Sequence, residues 1–145
     1  MRMPDVNILI YAHRTDDPSH RFYREWLEGL VASGQRFALS PLVAVGFLRV
    51  VTSARVYPTP TPLAVAAAAI DALLVRRNCV PLAIDAEHWR RVTDLASQVG
   101  ASGALVADCQ HAAVAIEHGC TWVTRDRDFR RFVPHGLRLE MLEPP

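Results

Sequence analysis

Short apolar runs alternate with longer helical stretches along this chain, and that alternation restricts its fold more than any other feature. Residues 2–6, 37–39, 80–84 and 121–124 read as strands, with 137–141 a candidate fifth. Residues 7–12 read as a turn or short helix leaving the first strand. Residues 20–31 place Phe22, Trp26, Leu27 and Leu30 on one helical face, and Gly34 follows as a stop. Ser40 and Pro41 supply an N-cap and a first-turn proline for a helix reaching about Thr52. Alternate prolines make 57–62 a stiff, non-helical connector. The alanine-rich stretch 63–77 reads as helix, as do 86–99, capped by Asp85 and ended by Gly100, and 103–118, closed by Gly119 and apolar nearly all round. Repeated strand–helix–strand units imply an α/β fold whose parallel sheet is covered on both faces.

The 145 residues suit one domain, 1–145, with a core of its own. Half of them are hydrophobic, yet charged residues or proline interrupt every stretch well short of the roughly 20 residues a membrane helix needs. The first residues lack the basic start and cleavage site of a secretory signal, so the expectation is a cytoplasmic protein with no membrane partner. All 16 basic residues are arginine. Lysine-dependent chemistry, including the P-loop and Schiff-base catalysis, is therefore excluded. A phosphoaspartyl phosphatase or receiver domain, which also gathers acids at strand ends, ranks low because it requires a lysine in its site. Cys79, Cys109 and Cys120 are odd in number and lack C-x-x-C spacing, so they read as small buried apolar residues.

Asp5 and Asp126 each follow a predicted strand, at the carboxyl edge where open parallel sheets collect functional groups. Asp108 lies about one turn inside a helix that starts near the same edge. Two carboxylates about 4 Å apart repel by about 4 kcal/mol at an effective dielectric near 20, so a cluster calls for a cation. Oxygen-only ligands favour Mg²⁺, with Mn²⁺ a near substitute. Each residue also has a plainer reading. Asp5, Asp126 and Asp128 can be cap or turn residues, Asn7 a helix cap, Thr124 a strand-end hydroxyl, and His111 either a base or a packed imidazole.

Four segments in order, Asp5-Val6-Asn7-Ile8-Leu9-Ile10-Tyr11-Ala12, Phe47-Leu48-Arg49-Val50-Val51-Thr52, Asp108-Cys109-Gln110-His111-Ala112-Ala113 and Thr124-Arg125-Asp126-Arg127-Asp128-Phe129, make the chain resemble PIN-domain ribonucleases of the VapC toxin type. That resemblance implies a three-layer PIN-like fold with a short, mainly parallel sheet flanked by helices. It further implies a Mg²⁺-dependent endoribonuclease that hydrolyses RNA phosphodiester bonds, restrained by a cognate antitoxin and homodimeric. By the same resemblance Asp5, Asp108 and Asp126 match the metal ligands and Asp128 an accessory acid among the catalytic residues, while Asn7 and Thr124 match supporting groups. Arg14, Arg49, Arg125 and Arg127 are candidates to hold the RNA backbone, or else neutralise nearby acids.

One position departs from the pattern. Where the family often carries a glutamate, just before Phe47, this chain has Gly46, and no acid occurs between Glu28 and Asp71. The alternative reading is therefore a catalytically weak or inactive PIN fold that binds RNA or antitoxin. The helices at 63–77 and around Trp26 are expected either to form the partner surface or to be core.

Overall fold

The computed structural model describes residues 1–145. Its sheet is parallel throughout and comprises β1 (Arg2–Pro4), β2 (Phe37–Leu39), β3 (Cys79–Pro81), β4 (Thr121–Thr124) and β5 (Arg138–Met141), in the order β3-β2-β1-β4-β5. The helices are α1 (Val6–His13), α2 (His20–Ala32), α3 (Pro41–Val51), α4 (Leu63–Leu74), α5 (His88–Val99) and α6 (Ala104–Glu117), with a 3₁₀ segment at Arg127–His135. From β1 the chain steps outward through β2 to β3, then returns across the sheet to β4. Right-handed crossovers must change face when their direction reverses. The packing follows that rule: α1 lies against α2 and α3, and α3 against α4, whereas α5 packs on α6, and α6 on β4. The expected three-layer α/β fold is present, and the strand order reverses between β1 and β4.

Local chemistry moved several boundaries. The first strand ends at Pro4 rather than residue 6, because Asp5 becomes the N-cap of α1 and its carbonyl accepts from the Ile8 and Leu9 amides. The third strand occupies Cys79–Pro81 rather than 80–84; after Pro81, which has no N–H, only the Leu82 amide still reaches β2, at the Leu39 carbonyl. Helix α4 stops at Leu74 instead of residue 77, and Arg76 accepts from the Cys79 amide in the turn that follows. Asp85 caps a preceding turn, accepting from the Glu87 amide, so α5 starts at His88.

The helix expected to be central throughout is central only in its second half. Cys109, Ala112, Ala113, Val114 and Ala115 are buried, whereas Ala104, Val106 and Ala107 lie on the surface. The 3₁₀ segment was not anticipated beyond a turn before Phe129. It plugs Phe129 and Phe132 into the core beside Trp122, and each such ring contributes roughly 1.5–3 kcal/mol of burial. All three cysteines are buried and free. No helix is long and apolar enough to cross a membrane.

Candidate active site

The reversal of strand order leaves a crevice at the carboxyl ends of β1 and β4, where Asp5 and Asp126 stand, with Asp108 near enough to act on Asp5 electrostatically. The Asp5 amide donates to the Val123 carbonyl at 2.9 Å, which locks the end of β1 onto β4. Its carboxylate is almost sealed from solvent, with 6% exposure. Burial raises its pKa from 3.8 to about 7; the Thr124 hydroxyl and Val6 amide pull it down, while Asp126 and Asp108 add repulsion. Asp108 is half-buried and raised to about 6, first by burial, then by Asp126 and Asp128. Each of these acids thus lies within the field of the others.

Thr124 organises the crevice. Its hydroxyl donates to Asp5 Oδ2 at 2.5 Å and accepts from Asn7 Nδ2 at 3.2 Å and from the Asp126 amide at 2.9 Å. One donor and two acceptor positions are all a hydroxyl has, so Thr124 is saturated and its only proton goes to Asp5. Asp126 in turn caps the 3₁₀ segment, its Oδ1 accepting from the Asp128 amide at 2.9 Å. Asp128 is exposed and lies 3.5 Å from Arg131.

The donors available to a metal are all oxygens. Neither Asp5 nor Asp108 nor Asp126 forms an ion pair with an arginine, and Asn7 Oδ1 is buried with no hydrogen-bond partner. Carboxylates without an ion-pair partner, and an orphaned amide oxygen on Asn7, suit a hard divalent cation. The acids are gathered without being closed into a finished centre: no three His, Cys, Asp or Glu side chains stand together closely enough to hold an ion.

Other singled-out residues fall into distinct surroundings. Arg14 is buried, paired with Asp16, donates to the Thr59 carbonyl at 2.9 Å and stacks 3.9 Å over Tyr57, which ties the proline connector to α1. Arg127 is held bidentately by Glu143 at 2.9 and 3.1 Å. Arg49 and Arg125 are exposed and free of carboxylates, with Arg125 lying 4.8 Å over the Tyr11 ring. His111 stacks on Trp122 at 5.4 Å, and burial lowers its pKa to about 4, so it is a packed, neutral imidazole. At Gly46 a Cβ would come within 2.9 Å of Val6 Cγ2, so Val6 fills the space a glutamate stem would need. Tyr11 and Glu143 were not marked by the sequence, because nothing local shows that they meet Arg125 and Arg127.

Away from the acids, a groove of about 530 Å³ runs between α2 and α4, floored by Phe47 and walled by Leu27, Val31, Ala69 and Leu73. Both of the helices expected to be either core or partner surface contribute to the core, through Tyr23 and Leu30 of α2 and Ala66 and Ile70 of α4, while Leu63, Val65 and Leu74 of α4 remain exposed.

The PIN domain family model matches residues 2–133. Ribonuclease VapC43 of Mycobacterium tuberculosis is 43% identical over 128 residues, 88% of this chain and 87% of the relative. Ribonuclease VapC25 of the same organism is 38% identical over 91% of this chain and 93% of its own. Among solved structures, VapBC2 from Rickettsia felis, bound to a DNA fragment from its promoter, superposes with a TM-score of 0.69 over 98% of both chains at 23% identity. With one family model spanning nearly the whole fold and ribonuclease relatives aligned across it, the chain belongs to the PIN-domain family, alongside the VapC ribonucleases.

Proposed function

We propose that residues 1–145 form a single PIN-like domain acting as a metal-dependent endoribonuclease, the toxin component of a toxin–antitoxin pair, at work in the cytoplasm. The observation that carries this reading is a buried carboxylate, Asp5, at a sheet edge within the field of Asp108 and Asp126, none of the three held in an ion pair. Asp5, Asp108 and Asp126 would hold Mg²⁺, or Mn²⁺ in its place. When bound, such an ion supplies Lewis-acid stabilisation of charge on phosphorus and makes water more acidic.

The chain's own groups do the rest. Thr124 fixes the Asp5 carboxylate by its single proton, and Asn7 fixes Thr124. Asp128, exposed at the rim, orients water on the solvent side of Asp126. Arg49 and Arg125, exposed and outside any ion pair, would take RNA phosphates, while Arg14 and Arg127 would do so only by leaving their present partners.

The cognate antitoxin would lay an apolar segment into the α2–α4 groove, where Arg76 at the rim would meet an acidic residue and Arg24 is already paired with Glu28. A homodimer is part of the same proposal. A second reading, a binder that no longer cuts, draws on the unclosed acid cluster and on Val6 filling the space beside Gly46.

One experiment separates the two. Purified protein freed of antitoxin is incubated, at sub-stoichiometric amounts, with total bacterial RNA in Mg²⁺ or EDTA, beside Asp5→Ala and Asp108→Ala. Multiple-turnover cleavage in Mg²⁺ alone, lost in both variants, supports the nuclease. Equal RNA patterns in every lane would reject it.

A further inference from the structure

Two arginines of this chain lie over tyrosine rings, and their surroundings differ. Arg14 over Tyr57 is buried and neutralised by Asp16, so its stack is structural. Arg125 over Tyr11 is exposed, has no carboxylate partner, and sits between Thr124 and Asp126, two residues that shape the acid crevice. A guanidinium over a ring face can still offer N–H groups to a bidentate acceptor.

The ring beneath it is itself braced. Tyr11 leans on Tyr23, with centroids 5.2 Å apart, and Phe22 meets Tyr23 edge-on at 5.1 Å. Tyr23 is fully buried, and its hydroxyl donates to the Leu142 carbonyl at 3.0 Å. An aromatic pedestal thus runs from the core to the rim of the crevice and ends in one unspent positive charge. Arg127, the next arginine along the chain, is already spent on Glu143. Beside uncompensated acids, a braced cation is where a polyanion can be gripped without competing for the acids themselves.

We infer that Arg125 clamps an RNA phosphate adjacent to the one being cleaved, and that Tyr11, braced by Tyr23, is the positioning residue that holds the clamp in place. This rests on the ribonuclease reading above and adds to it the group that sets where the strand lies. The clamp acts mainly on RNA binding, with its planar fork as the feature that matters. A lysine at the same place, a point charge on a flexible stem, does not reproduce a bidentate grip.

The test measures binding of a short fluorescein-labelled RNA of mixed sequence over a salt series, with Ca²⁺ replacing Mg²⁺ to suppress turnover, and separately cleavage of total bacterial RNA in Mg²⁺. Wild type is compared with Arg125→Ala, Arg125→Lys, Tyr11→Leu and the Tyr11→Leu/Arg125→Ala double variant, each checked for folding by thermal melting. Arg125→Ala is expected to weaken binding about tenfold, as for a lost hydrogen bond to a charged group. It should also flatten the slope of log affinity against log salt by about 0.7, one phosphate's worth for a single strand. KM should rise more than kcat falls, and Arg125→Lys should recover the salt slope without recovering the affinity. Tyr11→Leu should cost about threefold, as for an exposed cation–π contact, and nothing further once Arg125 is alanine.

An unchanged salt slope in Arg125→Ala, or fully additive losses in the double variant, would overturn the inference while leaving the nuclease standing. Failure of the wild type to bind or cut RNA would sink both. Should Tyr11→Leu not fold, Tyr11→Phe, which keeps the ring, must match wild type while Arg125→Ala does not; a loss in Tyr11→Phe equal to that in Arg125→Ala rejects the role given to the ring.

Discussion

Replacing Asp5 by asparagine should make the metal-free protein more stable at mildly alkaline pH, even though it removes the central acid of the crevice. Burial holds the Asp5 carboxyl at a pKa of about 7, against an ordinary 3.8. Between those values the folded chain keeps a proton that the unfolded chain has released, so the stability this group contributes is present at low pH and is lost as pH rises to about 7. The full shift corresponds to about 4 kcal/mol, and about 3 kcal/mol of it falls between about pH 5 and pH 8. That is a large share of the 5–15 kcal/mol typical of a domain. Asparagine keeps an oxygen for the Thr124 hydroxyl and never charges. Urea unfolding in EDTA, at about pH 5 and about pH 8 with unchanged m-values, measures the effect. Wild type should lose several kcal/mol across that interval and Asp5→Asn should lose much less, with a smaller share of the same sign remaining from Asp108. Adding Mg²⁺ at the higher pH should restore wild type and leave Asp5→Asn unmoved. Parallel pH profiles for the two proteins would show that Asp5 is not buried beside other acids in the way described.

Other expectations can be checked with the same purified protein. Thr124→Val leaves Asp5, Asn7 and the Asp126 amide without their shared partner; it should cost about 1–3 kcal/mol in urea unfolding and depress cleavage. Glu143→Gln releases Arg127, so RNA binding should tighten and its salt dependence steepen, as fluorescence anisotropy would register. Gly46→Ala, which in an unobstructed helix would gain up to about 1 kcal/mol, should gain nothing because the new methyl meets Val6; pairing it with Val6→Ala should relieve the crowding, as thermal melts of both would reveal. Leu73→Asp, in the wall of the α2–α4 groove, should weaken an antitoxin complex in titration calorimetry while cleavage by the free protein is retained.

Much of this molecule was legible in its residues because the signals were periodic or local. Strand–helix alternation gave the parallel sheet, and Ser40-Pro41 gave the start of α3, where the Ser40 hydroxyl does accept from the Leu42 amide. That positions 5 and 126 share one edge followed from topology, since a parallel sheet brings its strand ends together, but the three acids do not close into a cluster. What could not be read was three-dimensional competition. Pro4 and Asp5 look like the end of a strand until the cap of α1 claims Asp5. The apolar faces of α6 do not say which turns meet the sheet, and its first turn proved to be exposed. Gly46 marks an absent acid in the sequence, but only packing shows that Val6 occupies the space. Arg14 and Arg125 are equivalent as letters; burial and an Asp16 partner for one, exposure over Tyr11 with no ion pair for the other, separate them.

The stack of Trp122 on His111 gives the protein an optical reporter of its own. Trp122 lies wholly out of water on β4, with its indole N–H unpartnered, two residues before the hydroxyl that governs the crevice. Such an indole fluoresces at the blue end of the tryptophan range, and the imidazole against it stays uncharged above about pH 4, so quenching by a protonated neighbour is switched off at working pH. Once the exposed Trp89 is exchanged for phenylalanine, leaving Trp26 as the only other indole, emission should follow ions or RNA arriving at the strand end without any attached dye.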